Sequence, residues 1–194
     1  MTSRGDRRKE VTPAQAEYLK RWPGLYVRDG NRILDAPPRD VAVAKSYPRF
    51  QDKGQIVDGR RITILTESTI HRPGDEVRIL HVVEFTEPGY QAYIMGPKPV
   101  YGEYVNDKLA TEPVPAGDPL VPADYSGVTL PTPAVDYNFD ITSYIFQAPG
   151  IYRIQWRLGL LKSNTLAVTV ESMKQMAPAP TENANSRLEG GQLT

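Results

Sequence analysis

Two runs near the carboxy end of the chain alternate apolar and polar positions with a period of two. Tyr152, Ile154, Trp156 and Leu158 fall on one side and Arg153, Gln155 and Arg157 on the other. Downstream, Leu166, Val168 and Val170 alternate with Thr165, Ala167, Thr169 and Glu171. This is the pattern of strands with one buried face, and a short link containing Gly159, Ser163 and Asn164 predicts that they form a hairpin. In the middle of the chain, Ile62 and Ile64 alternate with Arg61 and Thr63, and Glu76 to Phe85 is a longer apolar run. Val77, Ile79, His81 and Val83 share one face of that run and Leu80 and Val82 the other, which predicts a strand covered on both sides. Arg72-Pro73-Gly74-Asp75 reads as the turn between these two strands, and Asp140 to Phe146 resumes strand-like alternation.

Around this frame the punctuation residues set boundaries. Thr12 as N-cap, Pro13 at the first helical position and Gln15 three after the cap predict a helix over Ala14 to Arg21, stopped by Pro23-Gly24. Leu25-Tyr26-Val27 and Arg32-Ile33-Leu34 flank Asp29-Gly30-Asn31, a small hairpin. Pro37-Pro38 ends that pairing, Val41 to Ala44 reads as a further short strand, and Asp52 to Gly59 as a loop. Tyr90 to Met95 and Val100 to Val105 bracket Gly96-Pro97-Lys98-Pro99, a proline-stiffened connection or a bulged strand, and Asn106-Asp107 marks the next turn. Glu112 to Pro133 carries Pro113, Pro115, Pro119, Pro122, Pro131 and Pro133, too many for a central strand. Leu120, Val121, Tyr125, Val128 and Leu130 make it too apolar for a free linker, so an ordered connector is expected.

The expected organisation is a single all-β antiparallel sandwich over residues 12–172, with a basic tail at 1–11 and a polar tail at 173–194, both expected to be disordered. With 194 residues the chain is long enough to bury a substantial core. The 23 basic and 23 acidic side chains cancel, leaving no overall field for nucleic acid or an anionic membrane. Cysteine is absent, which excludes disulfides and thiolate chemistry. No apolar run reaches the roughly 18 residues of a membrane span, and no apolar h-region follows the basic start, so a cytoplasmic location is expected.

Candidate chemistry is sparse. His71 and His81 flank the Arg72–Asp75 turn and, with Asp75 or Glu84, would have to meet across strands to hold a metal; half-buried structural histidines are the plainer reading. Phosphate-loop, dinucleotide and nucleophile-elbow motifs are lacking. Asp136 with Asp140, or Glu84 with Glu87, would serve glycoside chemistry only at a close spacing that sequence does not reveal. No catalytic residue, metal or cofactor is therefore predicted. The aromatic distribution carries more. Tyr90, Tyr93, Tyr101 and Tyr104 lie close together, with Lys98 among them and Tyr125 in the connector. These are candidate binding residues, because amphipathic rings suit recognition surfaces. Packing into a half-buried sheet explains tyrosines equally well, and the odd spacing of Tyr101 and Tyr104 turns them to opposite sides of a regular strand.

Arg72-Pro73-Gly74-Asp75-Glu76-Val77, a central sheet, Ala148-Pro149-Gly150-Ile151-Tyr152 and the final hairpin containing Ser163-Asn164 together resemble immunoglobulin-like sandwiches of bacterial accessory proteins. Macroglobulin-type domains and the small intracellular proteinase inhibitors of bacilli are similar in these two places. The resemblance implies an immunoglobulin-like fold in which Tyr152 bonds back to the backbone at its corner; the amino-terminal helix, the first hairpin and the connector have no counterpart. It also implies a non-enzymatic module that binds another protein, as inhibitor, immunity protein, adaptor or assembly component, or that assembles with itself. Carbohydrate binding is the alternative, opposed by the placement of Trp156 on the buried side of its strand.

Overall fold

The computed structural model describes residues 22–121 and 127–172. The helix expected over Ala14 to Arg21, both tails and Tyr125 lie outside the described residues. The described chain runs β1 (Tyr26–Asp29), β2 (Arg32–Asp35), α1 (Pro38–Ser46), a 3-10 turn (Tyr47–Arg49), β3 (Arg60–Leu65), β4 (Ile70–His71) and β5 (Glu76–Phe85). It continues through β6 (Gln91–Tyr93), β7 (Glu103–Val105), β8 (Lys108–Leu109), β9 (Thr129–Pro131), β10 (Ala134–Asp136), β11 (Thr142–Ile145), β12 (Gly150–Leu158) and β13 (Leu161–Val170). The fold is all-β with one short described helix.

Two sheets face each other. In the first, β5 is central, with β3 along one side and β10 and β11 sharing the other. The second is five-stranded in the order β4-β13-β12-β7-β8, antiparallel except where β4 runs parallel to β13. Ile62, Ile64, Val77, Ile79 and Val83 from the first sheet meet Ile154, Trp156, Leu158, Leu166 and Val168 from the second in one buried core. Trp156 is completely buried there, in edge contact with His81 and Phe139. The alternation in β12 and β13 thus places its apolar positions inward, as expected.

The other face of the first sheet is buried too. Leu65, Leu80, Val82, Val135 and Tyr137 pack beneath Leu25, Ala36, Ala44 and Tyr47, so β5 is covered on both sides in the manner its two apolar faces predict. Arg78 on β5 holds α1 through two bonds to Asp40, at 3.2 and 2.8 Å. Trp22, where the described chain begins, meets the Tyr137 ring at a tilt of 43° with ring centroids 4.9 Å apart.

Several sequence expectations need correction. Val41 to Ala44 is helical, not extended: Pro38 sits in the first turn, where a missing N–H costs nothing, and Asp40 lies at the positive end of the helix. The Arg72–Asp75 turn, closed by Asp75 N–H to Arg72 O at 3.1 Å, does not join β3 to β5 directly. It follows β4, which crosses to the second sheet, while β3 and β5 pair antiparallel from Arg60↔Phe85 to Leu65↔Leu80. The segments around Gly96–Pro99 do not pair with each other; β6 pairs with β9 and β7 with β12. The hairpin turn before β13 is Gly159-Leu160, and Ser163 and Asn164 lie within the strand.

Those two polar residues are buried because the backbone uses them. Ser163 Oγ accepts the Trp156 N–H at 2.9 Å, where β13 bulges and sets Ser163 and Asn164 against the single residue Trp156. Asn164 spans to β3: its Oδ1 accepts the Ile64 N–H at 2.9 Å and its Nδ2 donates to the Ile64 carbonyl at 3.1 Å. The side-chain amide completes a ladder that the two strands do not form directly. Gly54 lies in the same seam, where a Cβ would stand 2.1 Å from the Ile62 carbonyl oxygen and 2.7 Å from that of Lys162. A larger residue there would have to displace backbone.

Candidate functional site

The outer face of the five-stranded sheet is laid out in rows. Residues opposite one another on neighbouring strands share a face, so the register places Leu109, Tyr104, Gln155 and Thr165 side by side across β8, β7, β12 and β13. Arg153 stands beside Ala167 in the next row, and Ile151, Thr169 and Ile70 form a third. Ile70 is 59% exposed, Ile151 61% and Leu109 44%. Ile151 and Ile70, on either side of Thr169, make one end of the face apolar, and the other end, where Leu109 stands beside Tyr104, is mainly polar.

The polar end is built around Arg157. Its guanidinium lies 4.4 Å from the centroid of the Tyr104 ring, Nε donates to Gln155 Oε1 at 2.7 Å, and Nη2 pairs with Asp107. Gln155 is itself held by Thr165 Oγ1 at 3.2 Å. Asp107 belongs to the Asn106-Asp107 turn, whose two residues have φ of 49° and 60°. Asn106 and Asp107 suit such a tight hairpin because their short polar side chains tolerate left-handed backbone. Asn106 Oδ1 also accepts the Arg153 N–H at 2.9 Å, binding the turn to β12. Tyr104, Asp107, Arg153, Gln155, Arg157 and Thr165 enclose a shallow depression of about 160 Å³.

The tyrosines expected to form a binding surface are dispersed. Tyr104 lies on this face. Tyr101 packs against the core, and its carbonyl accepts the Trp156 indole N–H at 2.8 Å. Tyr90 is 44% exposed near Phe85, and Tyr93 lies on β6 opposite Thr129, so both belong to the β6–β9 pair rather than to the face. Lys98 is mostly buried: Nζ pairs with Asp136 at 2.8 Å, donates to the Tyr93 and Met95 carbonyls, and sits 4.5 Å from the Phe139 ring. Burial pushes the Asp136 carboxyl upward despite the opposing pull of Lys98. Arg153, Gln155, Arg157, Ile151 and Ile70 were not singled out from sequence. The alternation of β12 already turns the first three away from Trp156, but their meeting with Tyr104 depends on the pairing of β7 with β12, which no local pattern announces.

Two glutamates are buried elsewhere. Glu103 lies between the sheets, where Oε2 is 2.6 Å from His81 Nε2, and Oε1 accepts the Thr142 hydroxyl at 2.6 Å and the Tyr144 hydroxyl. Burial pushes its carboxyl upward, but attraction to the His81 ring and the bonds from His81, Thr142 and Tyr144 outweigh it and leave the pKa lowered. The same arrangement, burial first, raises the Tyr144 phenol. His81 Nδ1 has no hydrogen-bond partner among the described residues. Glu84 lies on the opposite face of β5 and accepts Tyr47 at 2.5 Å and Arg61 at 2.6 Å, with Lys53 Nζ at 3.8 Å. His71 is on β4, 2.9 Å from the Ser68 carbonyl, so the two histidines do not converge. Among the described residues no group of three or more His, Asp and Glu side chains is placed to hold a metal ion, and no helix is long and apolar enough to cross a membrane.

An open cleft of about 440 Å³ lies at the β12–β13 turn, walled by Val57, Leu158 and Leu161 and by Val114, Pro115 and Pro119 of the connector. The connector is thereby partly accounted for: Val114, Leu120 and Leu130 pack on or within the core.

Compared with models of protein families, with curated proteins and with solved structures, the chain matches none.

Proposed function

We propose that the protein is a non-enzymatic interaction module, an immunoglobulin-like sandwich that binds another polypeptide across the outer face of its five-stranded sheet. The observation that carries this reading is the asymmetry of the two outer faces. The first sheet is roofed by α1, Tyr47 and Leu25. The second leaves Leu109 exposed beside Tyr104 and Arg157 at one end, and Ile70 and Ile151 exposed at the other. An amphipathic ring and a planar cation on the same open face as exposed aliphatic side chains are the composition of recognition surfaces.

The immunoglobulin-like assignment is supported by two facing, largely antiparallel sheets and by the corner at Tyr152. Its hydroxyl donates to the Ala148 carbonyl, four residues upstream, at 2.9 Å, and its ring lies on Phe146 with centroids 3.8 Å apart. Bonding back to nearby upstream backbone is what a tyrosine does at such corners.

The test is site-specific photocrosslinking in the native host, with p-benzoylphenylalanine in place of Ile151 and, as a control on the first hairpin, of Ile33, which is 47% exposed. The expected result is a stoichiometric adduct from position 151 that is absent from position 33 and lost when Tyr104→Ala is added. Adducts of equal yield from both positions, or none from 151, overturn the reading.

A further inference from the structure

We infer that the partner presents an acidic residue to the Arg153–Arg157 end of this face and an apolar residue to its Ile151–Ile70 end; the inference rests on the interaction reading above and specifies its chemistry. The chain as a whole is neutral, with 23 cationic and 23 anionic side chains, yet charge is not evenly spread over this face. At its Tyr104 end stand Arg153, Arg157 and Lys162, the last directly opposite Arg157 in the ladder, against the single carboxylate of Asp107.

The two arginines are prepared differently. Arg157 is fixed by the Tyr104 ring, Gln155 and Asp107, so its guanidinium gives up little rotational freedom on accepting a ligand. Arg153 is exposed, and its side chain has no ion pair or hydrogen bond among the described residues. Both border the same depression of about 160 Å³, together with Thr165 and Gln155. A carboxylate entering it meets one oriented and one adaptable guanidinium, an arrangement suited to charge-assisted hydrogen bonds. Asp107 already draws on one edge of Arg157, which leaves Arg153 and Lys162 as the unneutralised part of the site.

Spacing identifies the rest of the partner. Outward-facing residues on one strand recur about every 6.6 Å, so the Gln155 row and the Ile151 row are about 13 Å apart, the span of four residues of extended chain. A strand-like peptide with an acidic residue and an aliphatic residue four positions later therefore covers the face from end to end. A nucleic acid would satisfy the cations but would leave Ile70 and Ile151 uncovered.

The experiment is a titration of the full-length, isotopically labelled protein, followed by backbone amide NMR. The probe is the capped hexapeptide Glu-Glu-Ser-Thr-Ser-Leu; the same peptide with lysine in both acidic positions and a short oligothymidylate serve for comparison. The expected result is saturable shifts confined to residues 104, 151–157 and 165–169, with affinity falling roughly tenfold in Arg153→Gln and unchanged in Arg32→Gln on β2. Arg153 is exposed and its side chain holds nothing in place, so a folding defect in its variant is not expected; amide dispersion checks this. No saturable shift, shifts elsewhere, equal binding of the lysine peptide, or tighter binding of the oligothymidylate each overturns the inference. A Tyr104-dependent crosslink from position 151 alongside any of those outcomes leaves the interaction reading standing and removes only the acidic partner.

Discussion

Glu84 and Glu103 are two carboxylates removed from water to the same degree, 1% and 0% exposed, and they are accommodated in different ways. Glu84 sits under the 3-10 turn and faces cations: Arg61 directly, and Lys53 at longer range, with the Lys53 ammonium 4.0 Å from the Tyr47 ring centroid. Those cations keep 18% and 12% side-chain exposure, so the cluster has an outlet to solvent. Glu103 lies between the two sheets, where Thr142, Tyr144 and His81 surround it and neither Glu103 nor His81 is exposed at all. The difference shows that a buried carboxylate is tolerated either by local charge balance near an edge or by enough well-placed donors in the interior. Only the second kind ties two sheets together.

The strongest way to break the comparison is to remove each carboxylate in turn. Glu103→Ala leaves two hydroxyls and an imidazole facing an empty interior and is expected to cost about 3–5 kcal/mol in urea unfolding. Glu84→Ala is expected to cost about 2–3 kcal/mol, because it leaves only the buried Tyr47 hydroxyl unmet while Arg61 and Lys53 are able to turn toward water. Equal losses would remove the distinction between interior and edge. A smaller effect separates them by pH. The folded Glu103 carboxyl is held below its ordinary value of 4.5, so its stabilisation is complete above that value and is lost as pH falls through the lower folded pKa. Acid titration of stability is therefore expected to be shallower in Glu103→Gln than in the parent, and parallel curves would contradict the assignment. The smallest expected change is at Lys53, whose substitution by Met should cost about 0.5–1 kcal/mol, since it adds one distant charge and one ring contact.

How far the sequence disclosed this arrangement depended on the range of the contacts. β12 and β13 were legible because Ile154, Trp156, Leu166 and Val168 repeat with the period of the strand itself. The two faces of β5 were legible for the same reason. Val41 to Ala44 misled because four small and branched residues satisfy either a strand or a helix, and the proline that starts α1 also looks like a break. β9 and β10 were missed because Pro131 and Pro133 mark the segment as connector, although short edge segments accept proline. Asn164 read as turn because its polarity is plain and its partner, Ile64 on a distant strand, is not. The candidate face was half visible: Tyr104 by its chemistry, Arg153 and Arg157 only as a solvated side. Lys98 attracted attention through its tyrosine neighbours, whereas Asp136 decides its surroundings.

The Asn164 amide has one more consequence. Apolar strand positions are interchangeable: a shift of β13 by two residues would still bring Leu, Val or similar side chains to the core, and the hydrophobic pattern alone penalises such slippage weakly. The amide is different, because only one residue on β13 carries a paired donor and acceptor able to satisfy Ile64. A two-residue slip would present Leu166 to that carbonyl and N–H, and both would go unmet. A single side chain therefore acts as an index mark that distinguishes one alignment of the final hairpin from its near copies, a selectivity the apolar core does not itself encode.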